Sequence, residues 1–155
     1  MMLYEWKTWT RCYAPRGFDF RGATVLDVGA GEGETVELYR LLGAKKFICI
    51  EPDAQRATRL RENATKNAWE AEVFQEGFSP RFLERDFDFM KMDCEGCEGA
   101  LVGTRIEFPC VLETHGKPTT EEFLKMSGFS AVKRAGNTAL VTNVGAGSNV
   151  SHHRP

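Results

Sequence analysis

Residues Thr24 to Glu34, which read T-V-L-D-V-G-A-G-E-G-E, decide the fold of this chain. Thr24, Val25, Leu26 and Val28 form a short apolar run rich in β-branched side chains, which predicts a strand buried on both faces. Glycines then alternate with other residues, and a helical pattern begins directly afterwards. Strand, glycine turn and helix form the first unit of a nucleotide-binding α/β sheet, because glycine permits positive φ and leaves no Cβ between the backbone and a ligand. The residues expected to surround that ligand are Gly29, Ala30, Gly31 and Gly33.

The carboxylate of Asp27 distinguishes this turn from the turn that binds a dinucleotide. It lies two residues before the first glycine, at the carboxyl end of the strand, where it suits a cation or an amine better than a pyrophosphate. The sixth position of the G-x-G-x-x-G pattern is Glu34 rather than Gly or Ala, so the NAD fingerprint is incomplete. The expected ligand therefore has a nucleoside and a positive, amino-acid-like end, which describes S-adenosylmethionine (SAM). An NAD-linked oxidoreductase is the weaker alternative.

Size and composition indicate one ordinary globular domain. The chain has 155 residues, of which 42% are hydrophobic and 27% charged. The net charge of −2 provides no overall field that would attract nucleic acid. The first residues lack the basic-then-apolar order of a signal peptide, and no apolar run is long enough to span a bilayer. We therefore expect a cytoplasmic protein without a membrane partner.

The five cysteines do not predict a disulfide framework, because their number is odd and no secretory signal precedes them. Cys49 and Cys110 lie in predicted strands and are expected to be small buried hydrophobes. Cys94 and Cys97 form a lone C-x-x-C without the further soft ligands that a zinc site needs. We expect neither a zinc site nor a redox function there.

Strand patterns alternate with helical patterns along the rest of the chain. The hydrophobic spacing predicts strands over 46–51, 71–75, 87–93 and 109–115, and helices that follow the glycine turn and span 54–67 and 119–127. Asp53 is the expected cap of the second helix, Thr119 or Thr120 that of the third, and Ser79-Pro80 starts a short helix. Gly136-Asn137 predicts a hairpin between strands over 129–133 and 138–144. The predicted fold is α/β, a three-layer Rossmann-like arrangement with a mostly parallel sheet and a C-terminal antiparallel hairpin.

Three segments follow from this reading. Residues 1–23 are rich in aromatic side chains and are expected to cover the sheet edge, with a lid over the ligand as the alternative. Residues 24–144 form the SAM-binding domain, and residues 145–155 are a small, polar, flexible tail.

Further cofactor contacts are expected where the next two strands end. Glu51 follows the third glycine by 18 residues, close to the spacing of about 20 at which an acid binds ribose hydroxyls. Pro52 comes directly after it. The loop Glu76-Gly77-Phe78 follows the third strand, where such folds contact a purine.

Polar side chains at the ends of the fourth and fifth strands are the candidate catalytic residues. Asp93 ends one strand, and Glu113 and His115 share a face of the other because side chains alternate along a strand. His115 is the expected base that removes an acceptor proton. Asp93 or Glu113 holds the acceptor, orients the imidazole or binds Mg²⁺ with its neighbour; these alternatives stay open, and the sequence identifies no dedicated metal site.

Four motifs together resemble the class I SAM-dependent methyltransferases of the FkbM type. They are V-L-D-V-G-A-G-E-G-E-T, I-E-P-D, F-M-K-M-D-C-E-G-C-E and C-V-L-E-T-H, in this order. The resemblance implies that Asp27 and the glycine turn surround the methionine part of SAM, Glu51 binds the ribose and Asp93 lies near the methyl group. It also implies O-methylation of a small hydroxylated metabolite or sugar. The net charge of −2 weakens the case for a nucleic-acid partner without excluding one.

The chain departs from the family in the short segment before its first strand and in Cys94 and Cys97. The resemblance leaves open a homo-oligomer in which a second subunit completes the acceptor pocket. A non-catalytic SAM-binding module, or a subunit of a complex, is the alternative function.

Overall fold

Seven strands form one mixed sheet in the computed structural model, which describes residues 12–126 and 128–145. The strands are β1 (Thr24–Val28), β2 (Lys46–Ile50), β3 (Glu70–Phe74), β4 (Phe89–Met92), β5 (Cys110–His115), β6 (Ser130–Ala135) and β7 (Thr138–Thr142). Their spatial order is β3-β2-β1-β4-β5-β7-β6. The first five are parallel, and β7 pairs antiparallel with both β5 and β6. The predicted parallel sheet with an antiparallel hairpin is confirmed.

Hydrophobic layers cover both faces of this sheet. Helices α1 (Glu34–Leu41) and α2 (Ala54–Lys66) bury Leu38 and Leu60 in one layer. Helix α3 (Lys117–Lys125) and the 3₁₀ helices Pro80–Glu84 and Cys97–Leu101 contribute to the other layer, where Phe123 is buried. Because a parallel sheet has no solvated face, its central strands consist almost entirely of buried residues.

Two predicted helix starts have different outcomes. Asp53 caps α2 as expected, because its carboxylate accepts hydrogen bonds from the backbone N–H groups of Gln55 and Arg56. The predicted Thr119 or Thr120 cap of α3 is wrong. That helix already begins at Lys117, and the Thr120 hydroxyl lies in its buried interior, 2.7 Å from the hydroxyl of Thr114. Residue 127, the predicted end of this helix, lies outside the described residues.

The segment before β1 packs on the sheet through aromatic rings. The ring of Phe20 stacks on Tyr39 at 5.1 Å between centroids and meets Phe89 edge-on at 4.9 Å. Phe18 contacts the same ring of Phe89. The remaining part of the proposed cover, residues 1–11, and residues 146–155 of the proposed tail lie outside the described residues.

The cysteines differ in part from expectation. Cys94 and Cys97, for which we expected no special role, are joined by a disulfide. Cys12, Cys49 and Cys110 are buried as free thiols, which confirms the prediction for the last two. Among the described residues, no helix is both long and apolar enough to cross a membrane.

Candidate active site

The neighbouring positions of β1, β4 and β5 bring the predicted polar strand ends together. Asp93 directly follows β4, and Glu113 and His115 are among the last three residues of β5. A carboxylate oxygen of each acid and a ring nitrogen of His115 all lie within 4.8 Å of one another. The expected convergence of these three side chains is confirmed. It depends on the strand order, because adjacent strands are only about 4.8 Å apart.

Tyr13 joins this cluster from the segment before β1. Its hydroxyl lies 2.8 Å from Glu113 Oε2 and 3.1 Å from Asp93 Oδ2, so it donates its proton between two carboxylates. Its backbone carbonyl accepts a hydrogen bond from the hydroxyl of Tyr39 at 3.0 Å, which fixes the segment above the sheet. Burial and the two nearby carboxylates raise the pKa of Tyr13. The phenol therefore remains a proton donor at physiological pH.

Burial also raises the pKa of Glu113. The hydrogen bond from Tyr13 acts in the opposite direction, and the charge of Asp93 adds to the increase. Two carboxylates this close resist simultaneous ionisation unless a donor or a cation lies between them. In this structure the hydroxyl of Tyr13 is the donor that lies between them.

Glu98 lies behind His115 and was not among the residues selected from the sequence. Its side chain is completely buried, and its Oε1 accepts a 2.6 Å hydrogen bond from the backbone N–H of His115. The same oxygen lies 3.3 Å from Nδ1 of the imidazole. A signal for this residue was present in the D-C-E-G-C-E run, but the spacing alone does not show which side of the chain it faces.

The carboxylate of Asp27 contacts other side chains of the protein, whereas we expected it to face a ligand amine. Its Oδ1 lies 3.0 Å from the ammonium of Lys91, the residue opposite it on β4, and its Oδ2 accepts the hydroxyl hydrogen of Thr35 at 2.5 Å. Asp27 and Lys91 are both buried. Lys91 also donates to the carbonyl of Gly29 at 2.7 Å. The ammonium that we expected from a ligand is supplied here by a lysine.

The glycine turn is shaped more by protein contacts than by space for a ligand. A Cβ at Gly29, where φ is +74°, would lie 1.7 Å from the carbonyl oxygen of Asp93. A Cβ at Gly33 would meet Trp69 and Leu60. At Gly31 a Cβ would meet only the end of the flexible Glu34 side chain. Gly31 is therefore the glycine of this turn that a ligand could approach with the least obstruction from packed protein atoms. Ala30, next to it, is buried.

Glu51 lies at the end of β2 as expected, but the loop covers it. It is 4% exposed, and its oxygens accept hydrogen bonds from the backbone N–H groups of Gly31 and Asp53, each at 2.9 Å. Each carboxylate oxygen retains a second lone pair for a hydroxyl donor. Pro52, which follows, is exposed.

The expected purine loop lies apart from the acid cluster. Phe78 packs partly buried against the hydrophobic layer that contains Phe82. The carboxylate of Glu76 forms an ion pair with Arg81, while Gly77 is exposed. None of the three lines either cavity beside the acid cluster.

Two cavities meet at Tyr13. One has a volume of about 290 Å³ and is lined by the glycine turn, Lys91 and Asp93, together with Glu32, Glu34, Thr35 and Arg56. The other has a volume of about 200 Å³ and lies between the start of the described chain and the β6–β7 hairpin, with Glu113 and Lys133 on its walls. Since Tyr13 lines both, its hydroxyl stands at the boundary between them.

The first cavity fits a cationic nucleoside such as SAM in position and charge. It lies beyond the carboxyl ends of the strands, where open α/β sheets bind ligands. Gly31 lines it without a side chain, and the acids Asp93, Glu32 and Glu34 line it together with the bases Lys91 and Arg56. Asp27 does not line this cavity, whereas Asp93, directly after β4, does.

Comparison with known proteins gives two curated relatives, and no family model matches the chain. A ribosomal protein L11 methyltransferase of Aquifex aeolicus is 36% identical over 74 residues, or 48% of this chain and 29% of the relative. A second one, of Pseudomonas savastanoi, is 30% identical over 118 residues, or 74% of this chain and 37% of the relative. The chain thus spans about a third of the length of the relatives it matches.

A solved structure supports the same fold assignment. The 16S rRNA methyltransferase RsmC of T. thermophilus, in complex with AdoMet and guanosine, matches with a TM-score of 0.58 at 23% sequence identity. The match covers 79% of this chain and 37% of that one. AdoMet is SAM, so this neighbour has been seen with the cofactor that we predicted from the glycine turn.

The names of these proteins contradict two expectations from the sequence, namely that the acceptor is a small molecule and that a nucleic-acid partner is unlikely. The relatives are named for methylation of a ribosomal protein, and the solved structure for methylation of ribosomal RNA. The net charge of the chain was a poor basis for predicting the acceptor class. An acceptor is selected by the groups around the reacting atoms and not by the summed charge of the protein. The FkbM-type assignment receives no support from these relatives. The two curated relatives and the shared fold support assignment of the chain to the class I SAM-dependent methyltransferases.

Proposed function

We propose that this chain transfers the methyl group of SAM to an amine of a ribosomal protein. The observation that carries the proposal is the pair of carboxylates, Asp93 and Glu113, at the boundary of the two cavities. An amine in a polypeptide is protonated at neutral pH, and adjacent acids attract it. The names of the two curated relatives point to the same class of acceptor. Such an acceptor implies a cytoplasmic location.

In this proposal residues 24–144 form the SAM-binding domain. SAM supplies a methyl group that is activated by the positive sulfur. Asp93 binds its positive end, Gly31 provides backbone contact without a side chain, and Glu51 accepts from hydroxyl groups through its remaining lone pairs. Asp27 contributes indirectly, because its ion pair with Lys91 holds the turn against β4.

The acceptor amine reaches the acid pair through the second cavity. Its lining includes Ala135, Ala139 and Leu140, which suit the methylene groups of an amine-bearing side chain, and also Lys133. Glu113 lies at the inner end beside Tyr13. His115 then takes a proton from the ammonium, since an amine can attack only through a free lone pair. Alignment of the reacting groups supplies much of the remaining acceleration.

Ribosomal RNA is the alternative class of acceptor, because the solved neighbour is named for methylation of 16S rRNA. Methyl transfer to a hydroxyl is a second candidate, favoured by the D-C-E-G-C-E run on which the FkbM-type resemblance rests.

The test uses the purified full chain with methyl-labelled SAM and separated ribosomal proteins and ribosomal RNA. We expect label in the protein fraction, and methylated amino groups after acid hydrolysis. His115→Ala should reduce incorporation by about 10²-fold or more, the usual contribution of a general base. Label found only in RNA would contradict the proposal, and label lost on mild alkaline treatment would identify an ester rather than an amine.

A further inference from the structure

We infer that Glu98 is a positioning residue that holds the imidazole of His115 in the tautomer needed for proton transfer. The inference rests on the proposed function, because it assigns a role within the same site. None of the sequence patterns assigned this residue a role. Glu98 lies in the 3₁₀ helix that follows β4, five residues beyond Asp93.

The contacts of Glu98 converge on His115. The carboxylate is completely buried in the 3₁₀ helix Cys97–Leu101. Its Oε2 accepts the backbone N–H of Gly96 at 2.8 Å, and its Oε1 accepts the backbone N–H of His115 at 2.6 Å. In the described part of the chain, His115 is the one basic side chain with a nitrogen within 4.0 Å of this carboxylate. Among those residues, backbone N–H groups and the imidazole contact its oxygens, rather than a lysine or arginine.

This geometry selects one form of the imidazole. Nδ1 is buried, lies 3.3 Å from Glu98 Oε1 and has no hydrogen-bond partner among the described residues. A carboxylate oxygen is an acceptor, so its position beside Nδ1 favours the tautomer with the proton on Nδ1. The lone pair of the neutral ring then resides on Nε2. A carboxylate that fixes a histidine in this way is the arrangement found behind catalytic bases in general.

The proton balance of the step is simple. The N–H bond of the bound ammonium breaks, its electron pair stays on the acceptor nitrogen, and a new N–H bond forms at Nε2. The imidazolium that results is stabilised by the buried carboxylate of Glu98. Glu113 and Asp93 hold the acceptor while the proton leaves.

The same carboxylate–histidine arrangement also supports metal-bound histidines, so the experiment must separate the two roles. Glu98→Gln keeps the shape and an acceptor oxygen but removes the charge, and Glu98→Ala removes both. Glu95→Gln is the matched control, because Glu95 is exposed in the same loop. Methyl transfer is measured with the ribosomal fraction that accepts label, with and without EDTA.

We expect Glu98→Gln to lower kcat by about 10- to 100-fold, within the range for general-base catalysis, with KM for SAM within about twofold. In a His115→Ala background the same change should alter kcat by less than about twofold, because a residue that acts through His115 has nothing left to position. Glu95→Gln should have no effect. An equal loss in both backgrounds, or abolition of wild-type activity by EDTA, would overturn the inference.

A second measurement needs no acceptor and keeps the inference separate from the proposed function. The ¹⁵N chemical shifts of His115 should show the Nδ1–H tautomer in the wild type and in Glu98→Gln, and the Nε2–H tautomer in Glu98→Ala. A wild-type ring protonated on Nε2 would refute the inference even if methyl transfer occurs. An Nδ1–H ring without methyl transfer to any fraction would refute the proposed function alone.

Discussion

Replacement of Lys91 by methionine is the sharpest test of how the glycine turn is built. Methionine has about the same length and suits a buried position, but it leaves the carboxylate of Asp27 without its cation. Asp27 and Lys91 are 0% and 3% exposed in their side chains, and their charged atoms are 3.0 Å apart. Removal of one partner of such a buried pair destabilises a protein by about 3–5 kcal/mol, because the remaining charge stays buried without compensation.

This magnitude is large for a domain of this size. Typical domains are stable by about 5–15 kcal/mol, so the substitution would remove a substantial part of the free energy of unfolding. In urea, with an m-value of about 2 kcal/mol/M, the midpoint should fall by about 1.5–2.5 M. Lys46→Met is the matched control: Lys46 pairs with Glu70 at 3.2 Å, but their side chains are 60% and 66% exposed. Loss of that pair should change the stability by about 1 kcal/mol or less.

The assay is equilibrium unfolding in urea, followed by circular dichroism and by tryptophan fluorescence. The double variant Asp27→Leu/Lys91→Met should recover most of the loss, because apolar replacement of both members of a buried pair is often neutral or stabilising. If Lys91→Met cost no more than Lys46→Met, or if the double variant were as unstable as the single one, the buried ion pair would not be what holds the turn to β4.

Three further predictions follow from the same structure. Gly29→Ala should destabilise the fold by about 3 kcal/mol or more, because φ is positive there and the new Cβ would overlap the carbonyl oxygen of Asp93 at the end of β4. The control is Gly99→Ala, where no atom lies within 4 Å of the new Cβ. Equal melting temperatures of the two variants in thermal unfolding would refute the steric argument. The raised pKa of Glu113 means that the folded chain binds its proton more tightly than the unfolded chain does, so this contribution to stability is present at low pH and declines as the pH rises through the raised pKa. Glu113→Gln should remove that decline, and unfolding midpoints between pH 4 and 8 that fall equally in both proteins would contradict the prediction. Thiol titration of the denatured chain should find three free cysteines before reduction and five afterwards, because Cys94 and Cys97 are joined; five thiols without reductant would exclude the disulfide.

Local patterns were sufficient to predict most of the elements. The β1 run, the Asp53 cap and the Gly136-Asn137 hairpin depend on residues within a few positions of one another, and each occurs in the structure. The common face of Glu113 and His115 also follows from local geometry, since side chains alternate along a strand. The start of α3 was misplaced because the hydroxyl of Thr120 bonds to Thr114 on β5, a tertiary contact that competes with capping.

Sequence by itself determined the class of fold, the cofactor and the three polar residues at the ends of β4 and β5. Their convergence could be expected because parallel strands end at the same edge of a sheet. Tertiary structure decided which charges are available there. The pairing of β1 with β4 places Lys91 opposite Asp27, the segment before β1 brings Tyr13 onto two acids, and the turn after β4 buries Glu98 behind His115. These contacts join residues far apart in the chain, and their partners depend on strand order and register, which no local pattern of residues contains.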